Sequence, residues 1–330
     1  MFLECSMEIA NGFDKTSIMH AVDILRNGGI VAFPTETVYG LGADALNSYA
    51  VAKIFEAKNR PHFDPLIVHL GQNDWIYRYA ETVPPDALKL IEAFWPGPLT
   101  LILRKKHVIP DIVTAGLPTV AMRMPAHPVA LALIQAFGYP VAAPSANPFG
   151  YVSPTKARHV SKMLEGKIPL VLDGGDSVFG IESTIVSATE KGVRIHRHGA
   201  ISEEELTQRV HIVETDSPDS DYRSPGELPY HYSPHKLLRI VNGTDEIEIE
   251  NSAFLSFEEP RVNPKSKYLR ILSKRGDLRE AAANLFSHLI ELDGMDVEII
   301  YAEKVPQHGI GRAIMERLIK ASNRSAEEIC

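Results

Sequence analysis

Short β-branched runs alternate with helical patterns from Thr16 to about Ile201. GGIVAFP, PLIVHL, LTLILRKK, TVAMRMP, YPVAAPS, IPLVLDGG, STIVSA and VRIHRHG read as strands. The intervals 16–27, 48–58, 84–95, 127–137 and 155–164 predict helices. Helix 84–95 is punctuated at both ends, by Pro84 and Pro85 before it and by Pro96, Gly97 and Pro98 after it. Within the strands, period two sorts the faces. Pro65, Ile67 and His69 share one side and Leu66, Val68 and Leu70 the other. Thr119, Ala121 and Arg123 likewise oppose Val120, Met122 and Met124. His69 therefore interrupts an otherwise apolar face, and Arg123 is carried on a strand expected to be buried.

Residues 213–235 (VETDSPDSDYRSPGELPYHYSPH) are rich in Pro, Ser and Asp and lack apolar periodicity, as a linker does. Beyond them, KLLRIV, SAFLSF, YLRILS and VEIIYA read as strands around helix 277–292, and helix 309–322 follows. The expected organisation is a mixed α/β domain at 1–205, a linker at 206–235 and a small α/β domain at 236–330. A length of 330 residues is enough for two cores. With 45% apolar and 23% charged residues, the composition is that of a globular chain.

A formal net charge of -8 argues against a surface that tracks nucleic acid throughout. No segment is basic: residues 1–205 carry 18 Lys and Arg against 21 Asp and Glu. Any anion site must be local. Cys5 and Cys330 supply neither a disulfide framework nor a CxxC site. No run approaches the ~20 apolar residues of a membrane span, and the first residues lack a basic n-region. A cytoplasmic protein is expected.

FPTETVYGLG (33–42) packs hydroxyls, a carboxylate and glycines after a strand, which suggests a ligand loop. Gly40 to Ala45 also matches a relaxed GxGxxA pattern ahead of helix 48–58, yet no acidic residue ends the next strand, and a tight turn without a ligand would use the same glycines. Lys58, Arg60 and His62 stand in a loop just past a helix C-terminus, where cations either cap the helix in solvent or face an anion. In that loop the loss of Lys58 or Arg60 should spare the fold. Arg123, on a buried strand, needs an anionic partner, either a protein carboxylate or a ligand. Ser145, Asn147, Ser153 and Thr155 follow a strand end, where both binding loops and helix caps place such groups. Gly180 to Thr184 and Arg197 to Gly199 stand at strand edges. His196, His198, His231 and His235 match no zinc spacing. There is no GxxxxGK[ST] loop, no kinase signature and no GxSxG elbow, so ATP, if bound, is held in an unusual way.

FPTETVYGLG, AKNRP, PLIVH, FWPGPLT, VAMRMP, APSAN, SPT, GIESTI and RHGAI, in this order and spacing, closely resemble the YrdC-type threonylcarbamoyl-AMP synthase family. SPG and HYSP followed by a small α/β domain resemble its long, two-domain form. The resemblance implies a YrdC-like mixed, twisted-sheet catalytic domain followed by a small Rossmann-like α/β domain. It implies capture of bicarbonate or CO2 by the threonine amine, attack of the carbamate on the α-phosphorus of ATP and release of pyrophosphate. The product would pass to separate tRNA-modifying transferase proteins for threonylcarbamoylation of an adenosine beside the anticodon. By motif position, Thr35, His69, Arg123 and Ser183 are implied for L-threonine, with Arg123 on its carboxylate. Lys58, Arg60, Thr119, Ser145, Asn147, Ser153, Arg197 and Ser233 are implied for ATP. Lys58 and Arg60 are implied as the catalytic cations, and Mg2+ is implied on the phosphates rather than in a protein cage. Asn59 replaces the glycine of the family's KGRP, and Tyr230 replaces an arginine ahead of the linker's HY. Residues 225–234 are expected to lie over the nucleotide as a lid, with Tyr232 and Ser233 reaching inward. A double-stranded RNA binding module without turnover is the alternative of another class, with weak RNA contact through a local patch.

Overall fold

The computed structural model describes residues 7–61, 63–189, 192–213 and 231–323. His62, Tyr230 and most of the expected linker lie outside them. Ten strands form the first sheet: β1 (Glu8–Asn11), β2 (Val31–Phe33), β3 (Gly40–Asp44), β4 (Ile67–His69), β5 (Leu99–Arg104), β6 (Thr119–Arg123), β7 (Val141–Ala142), β8 (Leu170–Asp173), β9 (Thr184–Thr189) and β10 (Gly192–Arg197). Their order is β1-β8-β2-β3-β7-β4-β6-β5-β9-β10. β4 with β6 and β5 with β9 are parallel, while β2 with β3 and β5 with β6 are antiparallel, so the sheet is mixed. The predicted helices form as Lys15–Arg26, Ser48–Lys58, Pro85–Phe94, Pro128–Phe137 and Ala157–Met163.

Local chemistry sets the ends of the helix that leads to the site. Asn47 accepts hydrogen bonds from the N–H groups of Tyr49 and Ala50, satisfying donors that the first turn leaves open. At the other end Asn59 adopts the left-handed conformation (φ 52°, ψ 40°). Asn tolerates this region better than most side chains, so it performs the backbone task of the family's glycine.

The face assignments from period two hold. Leu66, Val68, Leu70, Val120 and Met122 join the large core, whereas Ile67 and Ala121 join Ile102 and Ile185 in a small cluster on the opposite side. The β4–β6 register pairs Ile67 with Ala121 and His69 with Arg123, which brings two polar side chains from different segments together.

Two stretches depart from expectation. The glycines of the GxGxxA match lie in β3, antiparallel to β2, and not in a loop that opens a helix. A Cβ at Gly42 would sit 2.6 Å from the Phe33 ring and 2.7 Å from Val141, so this glycine serves sheet packing rather than phosphate approach. β1 has no counterpart in the sequence pattern because only Ala10 of its four residues is buried; parallel pairing with β8 makes it a strand.

The second sheet, β11 (Leu237–Val241), β12 (Ser252–Ser256), β13 (Tyr268–Ile271) and β14 (Ile299–Glu303), is fully parallel in the order β11-β14-β12-β13. Helices Leu278–Asp293 and Gly311–Ser322 complete this Rossmann-like unit. Its core is shared, because Val38, Val152, Ile181 and Tyr232 belong to the same apolar cluster as Leu285, Phe286 and Leu318. The approach is closest at Gly180 (φ 66°), where a Cβ would lie 2.4 Å from the carbonyl oxygen of Ala283. Glycine is required there both by the backbone conformation and by the neighbouring helix. Among the described residues no helix is long and apolar enough to cross a membrane.

Candidate active site

At the ends of β4 and β6 the FPTETVYG loop, the Arg60 loop, Ser145, the GIEST segment and the end of β10 enclose a cavity of about 60 Å3. Thr35, Arg60, His69, Arg123, Ser145, Ser183 and Arg197, all singled out in the sequence, line it. His231 and Tyr232 close it from the linker end.

The cations in its walls are buried, and each is held. Arg123 donates from Nη2 to Glu36 Oε1 (2.5 Å), from Nη1 to Thr37 Oγ1 (2.9 Å) and from Nε to the Gly97 carbonyl (3.1 Å). Glu36 is fixed in turn by the Ala126 N–H (3.0 Å). The partner Arg123 required is thus a protein carboxylate, though a guanidinium has five N–H groups and these contacts use three. Arg60 pairs with Asp64 (2.9 Å) and donates to the Pro65 carbonyl (2.8 Å). Arg197 donates to the Ser183 carbonyl (3.0 Å) and hydroxyl (3.1 Å), and Ser183 also bonds Thr100 (2.8 Å). Thr35 is locked by Thr37 Oγ1 (2.8 Å) and by donation to the Val38 carbonyl (2.6 Å).

The placement of Lys58 and Arg60 in a loop past the helix is corrected for Lys58, and the solvated-cap alternative fails for both. Lys58 is the last residue of its helix, is 1% exposed and donates to the carbonyls of Ser145 (2.6 Å) and Asn147. No carboxylate pairs with it among the described residues. Burial, reinforced by the Arg60 charge, holds its ammonium well below the usual lysine range. Arg60 is 7% exposed, and removing it would leave Asp64 buried without its cation, a loss of about 3–5 kcal/mol. Its loss is therefore expected to cost stability as well as a cavity-wall cation.

Lys58, Thr119, Asn147, Ser153 and Ser233 do not line the cavity. Thr119 lies four residues before Arg123 on the same face of β6, about 13 Å along the strand. Asn147 braces its own loop through the Pro148 and Tyr151 carbonyls (both 2.9 Å), and Ser153 donates to Glu182 (2.7 Å). Ser233 lines a neighbouring cavity of about 640 Å3, between the Pro148–Tyr151 loop and helix Leu278–Asp293. The larger space has no arginine in its lining, whereas the smaller one has three. His231 joins the two, lining the small cavity while packing edge-on against Phe149 of the large one (6.0 Å).

Glu36, Asp64 and Glu182 were not singled out from the sequence as site residues. A carboxylate looks out of place beside an anion, yet buried guanidinium groups demand one. That need is the signal by which they could have been found.

These features define a two-domain α/β protein whose YrdC-type sheet carries an arginine-walled cavity capped by the linker. A family model described as "Telomere recombination", for Sua5, YciO and YrdC proteins, matches residues 23–199. One described as "Threonylcarbamoyl-AMP synthase, C-terminal domain" matches 201–323. The chain is 42% identical to the threonylcarbamoyl-AMP synthase of Bacillus subtilis, over 97% of this chain and 96% of that one. It is 40% identical to that of Pyrococcus abyssi, over 96% and 97%. A crystal structure of P. abyssi Sua5 complexed with L-threonine superposes with a TM-score of 0.85 at 38% identity, over 96% of this chain and 97% of that one. The chain belongs to the threonylcarbamoyl-AMP synthase family, in its long, two-domain form, and is an enzyme.

Burial places several histidines far from their solution behaviour. Burial first, then the Arg123 charge, lowers His69 to about 3, and burial lowers His159 to about 4 and His231 well below 6.5. The unfolded chain takes up these protons near pH 6.5 and the folded chain does not, so each group's stabilisation is intact above about 6.5 and is lost as pH falls towards its folded value. Urea unfolding between pH 6.5 and 5 should show stability falling by up to about 1.4 kcal/mol per pH unit for each such histidine. His69→Gln should make that slope shallower by about one proton. Parallel pH dependences for the two proteins would contradict the assignment.

Proposed function

We propose that this enzyme is an L-threonylcarbamoyladenylate synthase, a nucleotidyltransferase that condenses L-threonine, bicarbonate or CO2 and ATP to threonylcarbamoyl-AMP and pyrophosphate. The observation that carries the reading is the cavity wall itself. Arg60, Arg123 and Arg197 converge on a closed space, each oriented by protein acceptors, beside the neutral imidazole of His69 and the hydroxyl of Ser183. Oriented, partly dehydrated cations suit a substrate carboxylate and a developing phosphate charge.

The chemistry needs no protein nucleophile. The threonine amine forms a C–N bond to CO2 and loses a proton; a carbamate oxygen then bonds the α-phosphorus as the bond to the pyrophosphate oxygen breaks. The protein's share is positioning and charge stabilisation. Arg123, braced by Glu36 and Thr37, is assigned to the threonine carboxylate, with Thr35, His69 and Ser183 around the amino acid. Arg60, Arg197 and Ser145 are assigned to the nucleotide. Lys58, Asn147 and Ser153 support that side from behind, and Thr119 and Ser233 would reach it only by moving.

Mg2+ would supply charge neutralisation on the phosphates. The carboxylates around the cavity are engaged by arginines, Glu36 by Arg123, Asp64 by Arg60 and Glu182 by Arg317, so a metal carried by phosphates and water fits better than a protein cage. The product would feed threonylcarbamoyladenosine formation beside the tRNA anticodon, through separate transferase proteins in the cytoplasm. Cations buried in a small cavity face a small ligand rather than a duplex groove, which favours this reading over an RNA-binding module.

The domain division 1–205, 206–235 and 236–330 gives the linker a task. Tyr232, 1% exposed and held with φ 62°, stacks on Phe286 (5.5 Å) and, with His231, fills space that ATP would need. Ligand pockets run to roughly 300–1,000 Å3, so at about 60 Å3 this is a closed state and the linker end must withdraw to admit nucleotide.

Three outcomes are expected. Pyrophosphate release should require threonine, bicarbonate and ATP together, with threonylcarbamoyl-AMP detected by mass; an undiminished rate without threonine would mark an ATPase of another kind. Lys58→Met, which keeps the buried stem but leaves the Ser145 and Asn147 carbonyls without their donor, should loosen the Ser145 loop and weaken ATP binding about tenfold, as a penalty of roughly 1–3 kcal/mol for an unsatisfied buried acceptor predicts. Calorimetry showing unchanged affinity would leave Lys58 as a brace with no bearing on the nucleotide. Limited proteolysis within 220–235 should change in rate when ATP and threonine are added together, and indifference to both would reduce the segment to a tether.

A further inference from the structure

Helix Gly311–Ser322 turns Ile314, Leu318 and Ala321 into the second domain's core, and Arg317 stands within that apolar stripe. Its side chain is 0% exposed. A guanidinium persists in such a place only with compensation. The compensation comes mainly from across the domain boundary. Nε donates to Glu182 Oε2 (3.1 Å), Nη1 donates to the His198 carbonyl (2.6 Å), and the Tyr232 ring lies 5.3 Å from Cζ. The contribution from its own helix is Glu316, at 3.4 Å.

Glu182 and Tyr232 both line the small cavity. The other oxygen of Glu182 accepts from Ser153 (2.7 Å), so Arg317 and Ser153 hold the carboxylate from two sides. Arg197, also in the cavity wall, feels the Glu182 charge, yet its guanidinium is directed to the Ser183 carbonyl and hydroxyl. Arg317 is the cation that holds the Glu182 carboxylate.

We propose that Arg317 is a positioning residue of the active-site cavity: from the second domain it holds the Glu182 carboxylate in place and offsets its charge, so that no bare carboxylate faces the incoming phosphates. The proposal rests on the reading of the cavity as a nucleotide site. It gives the second domain a part in substrate binding. Without Arg317, Glu182 would set a bare negative charge beside the incoming phosphates.

The test compares full-length wild type, R317M and the double variant R317M/E182Q, with ATP affinity measured by calorimetry, threonine KM and kcat from pyrophosphate release, and thermal unfolding for each. R317M should bind ATP at least tenfold more weakly. The double variant, which removes the carboxylate's charge as well, should recover to within about threefold of wild type. E182Q also relieves the buried charge that R317M leaves in the fold, so ATP affinity is compared at a temperature where thermal unfolding shows all three proteins folded; equal weakness in single and double variants there overturns the proposal, as does wild-type affinity in R317M. Should R317M fail to fold, R317K, which keeps the charge, must bind ATP more tightly than R317Q; equal affinities overturn it. A wild-type chain that binds no nucleotide sinks the reading of the cavity itself, whereas normal binding alongside an unaffected R317M sinks only the role of Arg317.

Discussion

The structure turns on holding several guanidinium groups out of water around one small space without neutralising their capacity to bind. Arg60, Arg123 and Arg317 each meet a carboxylate from another segment or loop position, and Arg197 is steered by a carbonyl and a hydroxyl. A buried arginine left alone would cost more than the fold could bear; one fully saturated would have nothing left for a ligand. Single carboxylates with carbonyl supports meet both demands, since they fix the plane of the guanidinium and leave N–H groups over. The mixed sheet supplies the geometry, because β4 and β6 run parallel and end together, which sets His69 beside Arg123.

Much of this was legible along the chain, and the parts that were not share a cause. Period two placed His69 and Arg123 correctly, because alternation on a strand is a local property. Helix Ser48–Lys58 was bounded correctly because Asn47 and Asn59 punctuate it locally. What could not be read was pairing over distance. Arg123 and Glu36 are 87 positions apart, and Arg317 and Glu182 are 135 apart. Whether Lys58 caps its helix in solvent or is buried could not be decided for the same reason, since the Ser145 and Asn147 carbonyls that it donates to come from a segment 87 to 89 residues on. The β3 strand was hidden by its glycines, which look like a ligand loop until Phe33 and Val141 are seen to need the space.

The two domains are distinct in topology and joined in chemistry. The second has its own parallel sheet, yet its core takes in Val38, Val152 and Ile181 from the first and Tyr232 from the linker. At Gly180 the helix Leu278–Asp293 comes so near that no side chain fits between. A boundary drawn from composition divides the sequence but not the apolar interior.

The Glu182–Arg317 contact also bears on the order in which the protein is made. Synthesis proceeds from the N-terminus at about 5–20 residues per second, so the ten-stranded sheet, complete by Arg197, precedes Arg317 by several seconds or more. During that interval Glu182 has Ser153 but not its arginine, and the nascent cavity wall still lacks the cation that restrains its carboxylate. Arrival of the last helix therefore ties maturation of the cavity to translation of the second domain. A ribosome stalled between the two would carry a sheet already assembled around an unfinished site.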